Sequence, residues 1–294
     1  MFDAHAHTQP WSIPIAATSI LFVTALLYLR GWLRLRSAFP NRIPAWRLAA
    51  FMSGLFLVWV ATSSPLAVLD HRSLTIHMVK HLLLMTVAAP LILAGAPVLP
   101  LLCGLWWRFS QSDIVTVGLR TRWLERDLAR PVFCWLAGTA AVIGWHLPAA
   151  FQLALRYQWV HSVEDTSFVL AGLLFWWPVA QILPSATRSP RWYVPLYLFL
   201  ATVPCDILSA FLAFCNRVVY PSYLSATQLG SLSPLQDQEC AGALMWVWVT
   251  FAYLIPAVVI TIQILSPASV HTQKAAQWHG IPAQSLNDSG AEVL

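Results

Sequence analysis

A chain of 294 residues with 58% hydrophobic and only 10% charged side chains is not an ordinary soluble domain, which carries about 25% charged residues. The formal net charge of +5 does not point to nucleic acid, because membrane topology accounts for the basic residues. The composition, with a mean hydropathy of +0.64, predicts an all-α integral membrane protein, since the alternation of a transmembrane β-barrel is lacking.

Seven stretches approach the roughly 20 apolar residues needed to cross a bilayer: 13–30, 46–64, 75–95, 131–147, 160–183, 194–216 and 241–265. They predict one seven-helix membrane domain, 1–265, and a polar tail, 266–294, whose composition predicts disorder. No Lys or Arg precedes the first stretch and no small-residue cleavage site follows it, so it reads as a retained helix. Arg30, Arg34, Arg36, Arg42 and Arg47 come after it. Arg108, Arg120, Arg122, Arg126 and Arg130 follow the third stretch, within residues 104–130, which read as an amphipathic helix on the cytoplasmic surface. Arg188 and Arg191 follow the fifth, and Lys274 lies in the tail, whereas the opposite ends hold only Arg72, Arg156 and Arg217. Positive charge gathers in the cytoplasm, so the N-terminus is expected outside and the C-terminus inside. Trp32, Trp46, Trp145, Trp159 and Trp192 near the span ends fit an interfacial belt.

The third stretch, LTIHMVKHLLLMTVAAPLILAGAP, carries His77 and His81. Spacing of i, i+4 stacks them on one helix face, in a segment where an ionisable group is costly and marks function. Met85 continues the stripe and Lys80 points into the arc of His77. Imidazole and thioether together suit a soft or borderline metal, copper first. A second reading makes the two histidines structural, hydrogen-bonded to a neighbouring helix. Lys80 beside a cation site either snorkels outward, pairs with Asp165 or Asp206, or is neutral.

On this topology the remaining polar residues fall in the outer half. The fourth span exits at WHLP with His146, and the fifth re-enters with VHSVED, which carries His161 and, four residues on, Asp165. Asp165 is either a ligand or the group that orients the His161 ring; alternatively Glu164 and Asp165 merely complement a helix N-terminus. Asp206 lies near the middle of the sixth span and must be protonated or partnered. Cys215 ends the sixth span and Cys240 begins the seventh, flanking an outer loop at 217–239. They are open to a disulfide, a thiolate pair for Cu(I), or no shared role. Asp237 reads as the cap of a helix beginning near Gln238.

HMVKHLLLMTVAAPLILAGAP, the WHLP at Trp145–Pro148, VHSVEDTSFVLAGLLFWWP and LSPLQDQECAGALMW occur in successive spans. In this order the chain resembles, from about Trp59 to Leu265, the multi-span CtaG-type cytochrome c oxidase assembly factors linked to caa-type oxidases. The resemblance implies a multi-pass protein of the bacterial plasma (inner) membrane that helps mature a haem–copper oxidase by handling copper. On it, His77, His81, His146 and His161 match the family's histidines, and Asp237, Gln238, Met245 and Trp246 match its DQ…MW segment. Three departures stand out. Asp165 replaces a usual His, Lys80 stands where a neutral polar residue is usual, and VPCDILSAFLAFC places Cys205, Asp206 and Cys215 in an otherwise apolar segment.

The function expected is therefore reversible copper coordination near the outer face with transfer to an oxidase subunit, without catalysis, since no nucleophile–base pair or nucleotide loop is present. Rivals are a haem-binding cytochrome with histidines as axial ligands, a copper transporter, and a zinc hydrolase using His77, His81 and Asp165. The expected partners are oxidase subunits and the lipid bilayer.

Overall fold

In a bilayer the backbone must satisfy its own hydrogen bonds, and apolar segments do so by closing into helices. The computed structural model of the chain describes residues 14–39, 43–64, 69–105, 130–180, 192–224 and 232–265. Helices α1 (Ile15–Ala38), α2 (Ala45–Ser63), α3 (Leu74–Ala94), α4 (Val98–Leu105), α5 (Pro131–His146), α6 (Pro148–Arg156), α7 (Gln158–Ala180), α8 (Tyr193–Phe214) and α9 (Pro234–Leu265) make up the fold, and the described residues include no strand. Pro131, Pro148 and Pro234 open α5, α6 and α9, where the missing amide proton would have had no helical partner.

α1, α2, α3, α8 and α9 are long and apolar enough to cross a membrane, and α5 with α6 adds a sixth crossing if the pair, bent by 74°, is one span. Multiple crossings of this kind make a multi-pass membrane protein. All seven expected stretches contain a helix, but they are not seven uniform apolar spans. α7 is outside the apolar set, and its first half carries His161, Glu164 and Asp165. The fourth stretch, 131–147, corresponds to α5 and its cap at Leu147, after which the chain bends and continues as α6. Residues 217–239 are not simply a loop, because they hold a short 3-10 turn at Pro221–Leu224 and the opening of α9. The amphipathic helix expected over 104–130 and the tail at 266–294 fall, but for residues 104, 105 and 130, outside the described residues.

α3 is the central helix. Of its apolar window, 61% is buried inside the molecule, against 17–33% for the other spans, and it packs on α2, α7 and α9. α8 and α9 pair with each other, and α1 pairs with α4. Partway along, α3 widens into a π-helical turn at Leu83–Ala88, a feature that often accompanies functional sites. The widened turn is held by side chains from both neighbours. Trp176 of α7 donates to the Met85 carbonyl at 3.0 Å, and Trp248 of α9 donates to Thr86 Oγ1 at 2.8 Å. Ile20, Phe22, Val23 and Leu26 of α1, Phe199, Val203, Ile207 and Phe211 of α8, and Phe251, Ile255 and Ile262 of α9 are exposed, as lipid-facing residues are.

Gly31 and Gly104 let α1 and α4 touch backbone to backbone. A Cβ on Gly31 would strike the Pro100 carbonyl, and one on Gly104 would strike the Leu27 carbonyl, which is how small residues drive close helix pairing in membranes. Gly144 in α5 faces open space. Gly31→Ala is expected to lower stability in detergent by about 1–3 kcal/mol, while Gly144→Ala is neutral or slightly stabilising, by up to about 1 kcal/mol. Thermal or denaturant unfolding of the two variants side by side checks the pair.

Candidate metal centre

The N-terminus of α3 sets the position of its histidines. Ser73 caps the helix by accepting from the Ile76 amide at 3.4 Å. Asp237 then reaches across from α9. Its carboxylate accepts from the Leu74 amide at 2.6 Å, the Thr75 amide at 3.3 Å and the Ser73 hydroxyl at 2.9 Å. Thr75 Oγ1 returns a bond to the Asp237 carbonyl at 3.0 Å. Asp237 therefore does not cap its own helix, which begins earlier at Pro234. It caps α3, where an anion also suits the helix dipole. Next to it, Gln238 is buried and accepts from the Val219 amide at 2.7 Å while donating to the Leu212 and Arg217 carbonyls. The segment so held closes over the site. Tyr220 donates to the His146 carbonyl and Tyr223 to the Asp70 carbonyl, both at 2.9 Å.

Beneath this cover lie buried ionisable groups from α3, α7 and the turn before α3. Lys80 is fully buried. Its ammonium stands 2.5 Å from Asp70 Oδ2, 2.9 Å from Asp165 Oδ1 and 2.6 Å from His161 Nε2. His161 Nε2 also lies 3.2 Å from Asp70 Oδ2, so this nitrogen is shared between the ammonium and the carboxylate. Of the three fates open to Lys80 in the sequence, pairing with Asp165 is the one the fold adopts; Asp206 is not a partner. Burial alone would raise the Asp70 carboxyl, but Lys80 and His161 hold it well below the ordinary carboxylate range. His71, with 43% of its side chain exposed and 3.7 Å from Asp70, is pushed below the ordinary histidine value by burial, with Asp70 opposing.

One turn further, His77, His81 and Glu164 bring three ligand atoms within 4.8 Å of one another, all three residues buried. Glu164 Oε1 lies 3.5 Å from His77 Nε2 and 3.8 Å from His81 Nε2. Both ring nitrogens of His77, Nε2 of His81 and both carboxylate oxygens of Glu164 are buried without a hydrogen-bond partner. Buried polar atoms are ordinarily paired, and three of these five, His77 Nε2, His81 Nε2 and Glu164 Oε1, face one another, an arrangement that could hold a cation. Charge agrees. Asp70, Glu164 and Asp165 are three buried carboxylates, and Lys80 is the one buried Lys or Arg among the described residues, so a net negative charge remains for a cation to balance. Two imidazoles and a carboxylate form a set that suits Zn(II) or Cu(II). Asp70, His71 and His161 also cluster within 4.8 Å, but Lys80 already supplies their cation.

The expected ligand set is thus rearranged. His77 and His81 share a site, but with Glu164, which the sequence suggested only as a dipole partner. Its signal was available, since positions 161, 164, 165 and 168 form one helical stripe, and Phe168 stacks on His81 with ring centroids 4.1 Å apart. Asp70 went unremarked because it lies outside the spans in a turn, and only the fold returns it to Lys80. His161 belongs to the ion-pair cluster. His146 places Nδ1 2.6 Å from the Val142 carbonyl and Nε2 3.3 Å from Met78 Sδ. Met85 is buried in the core, with Gly172 against its backbone and Gly138 near its Cε. Met245 is likewise buried in the core. Cys215, half-buried, and Cys240, exposed, are free thiols and belong to neither ligand group. Asp206 is half-buried on α8, with one carboxylate oxygen buried and unpartnered.

A family model described as cytochrome c oxidase caa3 assembly factor matches residues 26–266. An uncharacterized protein of Mycobacterium leprae is 25% identical over 263 residues, which is 86% of this chain and 38% of that protein. Uncharacterized proteins of Mycobacterium bovis and Mycobacterium tuberculosis are each 24% identical over 232 residues, 76% of this chain and 34% of theirs. The chain thus spans little more than a third of the curated relatives it matches. No solved structure matches.

Asp70→Asn leaves Lys80 short of a buried counter-charge and is expected to cost about 3–5 kcal/mol. Since the native Asp70 carboxyl titrates below its unfolded value of about 3.9, its contribution is complete above about pH 4 and is lost only as the pH falls further toward the native value. Denaturation of wild type and Asp70→Asn between pH 4 and 7 should show a constant gap; a gap that closes at neutral pH would contradict the ion pair.

Proposed function

The chain belongs to the cytochrome c oxidase caa3 assembly factor family, and from that premise we propose that it holds copper as cargo for a haem–copper oxidase. The observation that supports this is the convergence of one unpartnered buried ligand atom from each of His77, His81 and Glu164. These residues would bind the ion, Asp165 lies 3.5 Å from His81 Nε2 and adds negative charge beside it, and Lys80 tempers that charge so that binding stays reversible. The family role is non-catalytic, and nothing in the centre supplies a nucleophile with its base.

On this reading the membrane is the bacterial plasma membrane, and the arginine distribution favours its outer side for this end of the bundle. The site lies at the N-terminal ends of α3 and α7, beneath the 217–224 segment. An oxidase subunit docking there would meet the ion near the membrane surface, with no need for a route through the bilayer. The partners on this reading are oxidase subunits and lipid.

Two measurements test it. Metal analysis of detergent-purified protein should find copper in the wild type and a loss of at least about tenfold in affinity in Glu164→Gln and in His77→Ala/His81→Ala; the same spectra separate zinc, or haem by its visible absorption. A deletion strain should lose oxidase activity, with partial recovery in excess external copper. Undiminished metal in the double variant, or normal oxidase in the deletion, would sink the reading.

A further inference from the structure

We propose that His146 and Met78 form a second site, for a soft monovalent cation of the Cu(I) or Ag(I) type, separate from the His77, His81 and Glu164 group. The proposal rests on the copper reading above for the identity of the natural ion, while the site itself rests on its own geometry. His146 closes α5 and Met78 sits on α3; both are buried, at 8% and 1% exposure. A carbonyl oxygen only accepts, so the 2.6 Å contact with Val142 puts a proton on Nδ1, and in the neutral ring that leaves Nε2 bare. The Nε2 lone pair is left facing the Met78 thioether at 3.3 Å. A thioether has no proton to give. Two buried acceptors therefore meet with no hydrogen between them, and a cation is what reconciles them.

The ligand chemistry chooses the ion. This pair is neutral, one nitrogen and one sulfur, whereas the neighbouring group has two imidazoles and a carboxylate. Thioether sulfur selects soft ions such as Cu(I), and imidazole with carboxylate selects Zn(II) or Cu(II). Metal–ligand bonds of about 2.0–2.3 Å place nitrogen and sulfur roughly 4 Å apart about one ion, so the thioether has to withdraw by about 1 Å. Methionine's three rotatable bonds accommodate that. The imidazole is the fixed half, tied through Nδ1 to Val142 and through its carbonyl to Tyr220. Met78 directly follows His77 on α3, so one helix presents both sites side by side.

The test uses the full chain in detergent, in a Cys215→Ser/Cys240→Ser background so that the two less buried thiols do not compete. Ag(I), and anaerobically Cu(I), are titrated against a chromophoric chelator, and Zn(II) is titrated separately. Met78→Leu, which preserves volume, should weaken Ag(I) binding by about tenfold or more and leave Zn(II) unchanged; His77→Ala/His81→Ala should do the reverse. Wild-type Ag(I) affinity in Met78→Leu would overturn the proposal, and so would loss of both ions in the double variant, which would mean a single site. Selenomethionine-labelled protein provides a readout independent of variant folding: X-ray absorption at the silver edge should show a selenium neighbour, and its absence overturns the site. Met78-dependent Ag(I) binding with no divalent binding would uphold this site while removing the centre described under the proposed function.

Discussion

A lysine with no access to water governs this structure. Lys80 is fully buried in the central helix, and an isolated ammonium in such surroundings would be prohibitively costly. Asp70 and Asp165 meet it from two directions, one from the turn before α3 and one from α7. Each ion pair fixes an element against α3, so the electrostatic requirement becomes a geometric one. The compensation is excessive: with Glu164 included, carboxylates outnumber the ammonium, and the excess lies on the side of His77 and His81. The same arrangement that makes Lys80 tolerable thus leaves carboxylate charge beside the two histidines.

The polar fastening of the bundle is concentrated at this one end. Asp237 caps α3 from α9, Gln238 anchors the 217–219 segment, and Tyr220 and Tyr223 tie that segment to His146 and Asp70. Toward the other end the helices are joined by apolar packing, the Gly31–Gly104 approach, the Trp176 and Trp248 bonds to the widened turn of α3, and single bonds from Tyr28 to the Gly95 carbonyl, Arg34 to the Cys103 carbonyl and Tyr197 to the Phe175 carbonyl. At the polar end the helix termini are tied by the Asp237 and Gln238 bonds, while Nε2 of His77 and of His81 and the Glu164 carboxylate have no hydrogen-bond partner.

Some of the site was legible before any coordinates. Helical spacing alone put His77 and His81 on one face, and the same rule put Asp165 one turn after His161. Glu164 was legible on that stripe too, but its place at a helix start offered an easier explanation through the dipole. Asp70 was not legible, since it sits in a turn and its partner is on the following helix. Asp237 misled for a related reason: an acidic residue near a helix start normally caps its own helix, and only the packing of α9 against α3 reveals that it caps another.

The sequence by itself determined that the chain lives in a bilayer, that its segments are helices, and that costly polar residues were retained within them. These follow from composition and period, which are properties of single segments. Tertiary structure alone decided which of those polar residues share a site. Histidines that looked equivalent were divided among three environments: one beside Glu164, one against Lys80 and one facing Met78. That division depends on the angles and registers at which helices distant in sequence pack, and each helix carries no record of its neighbours' positions.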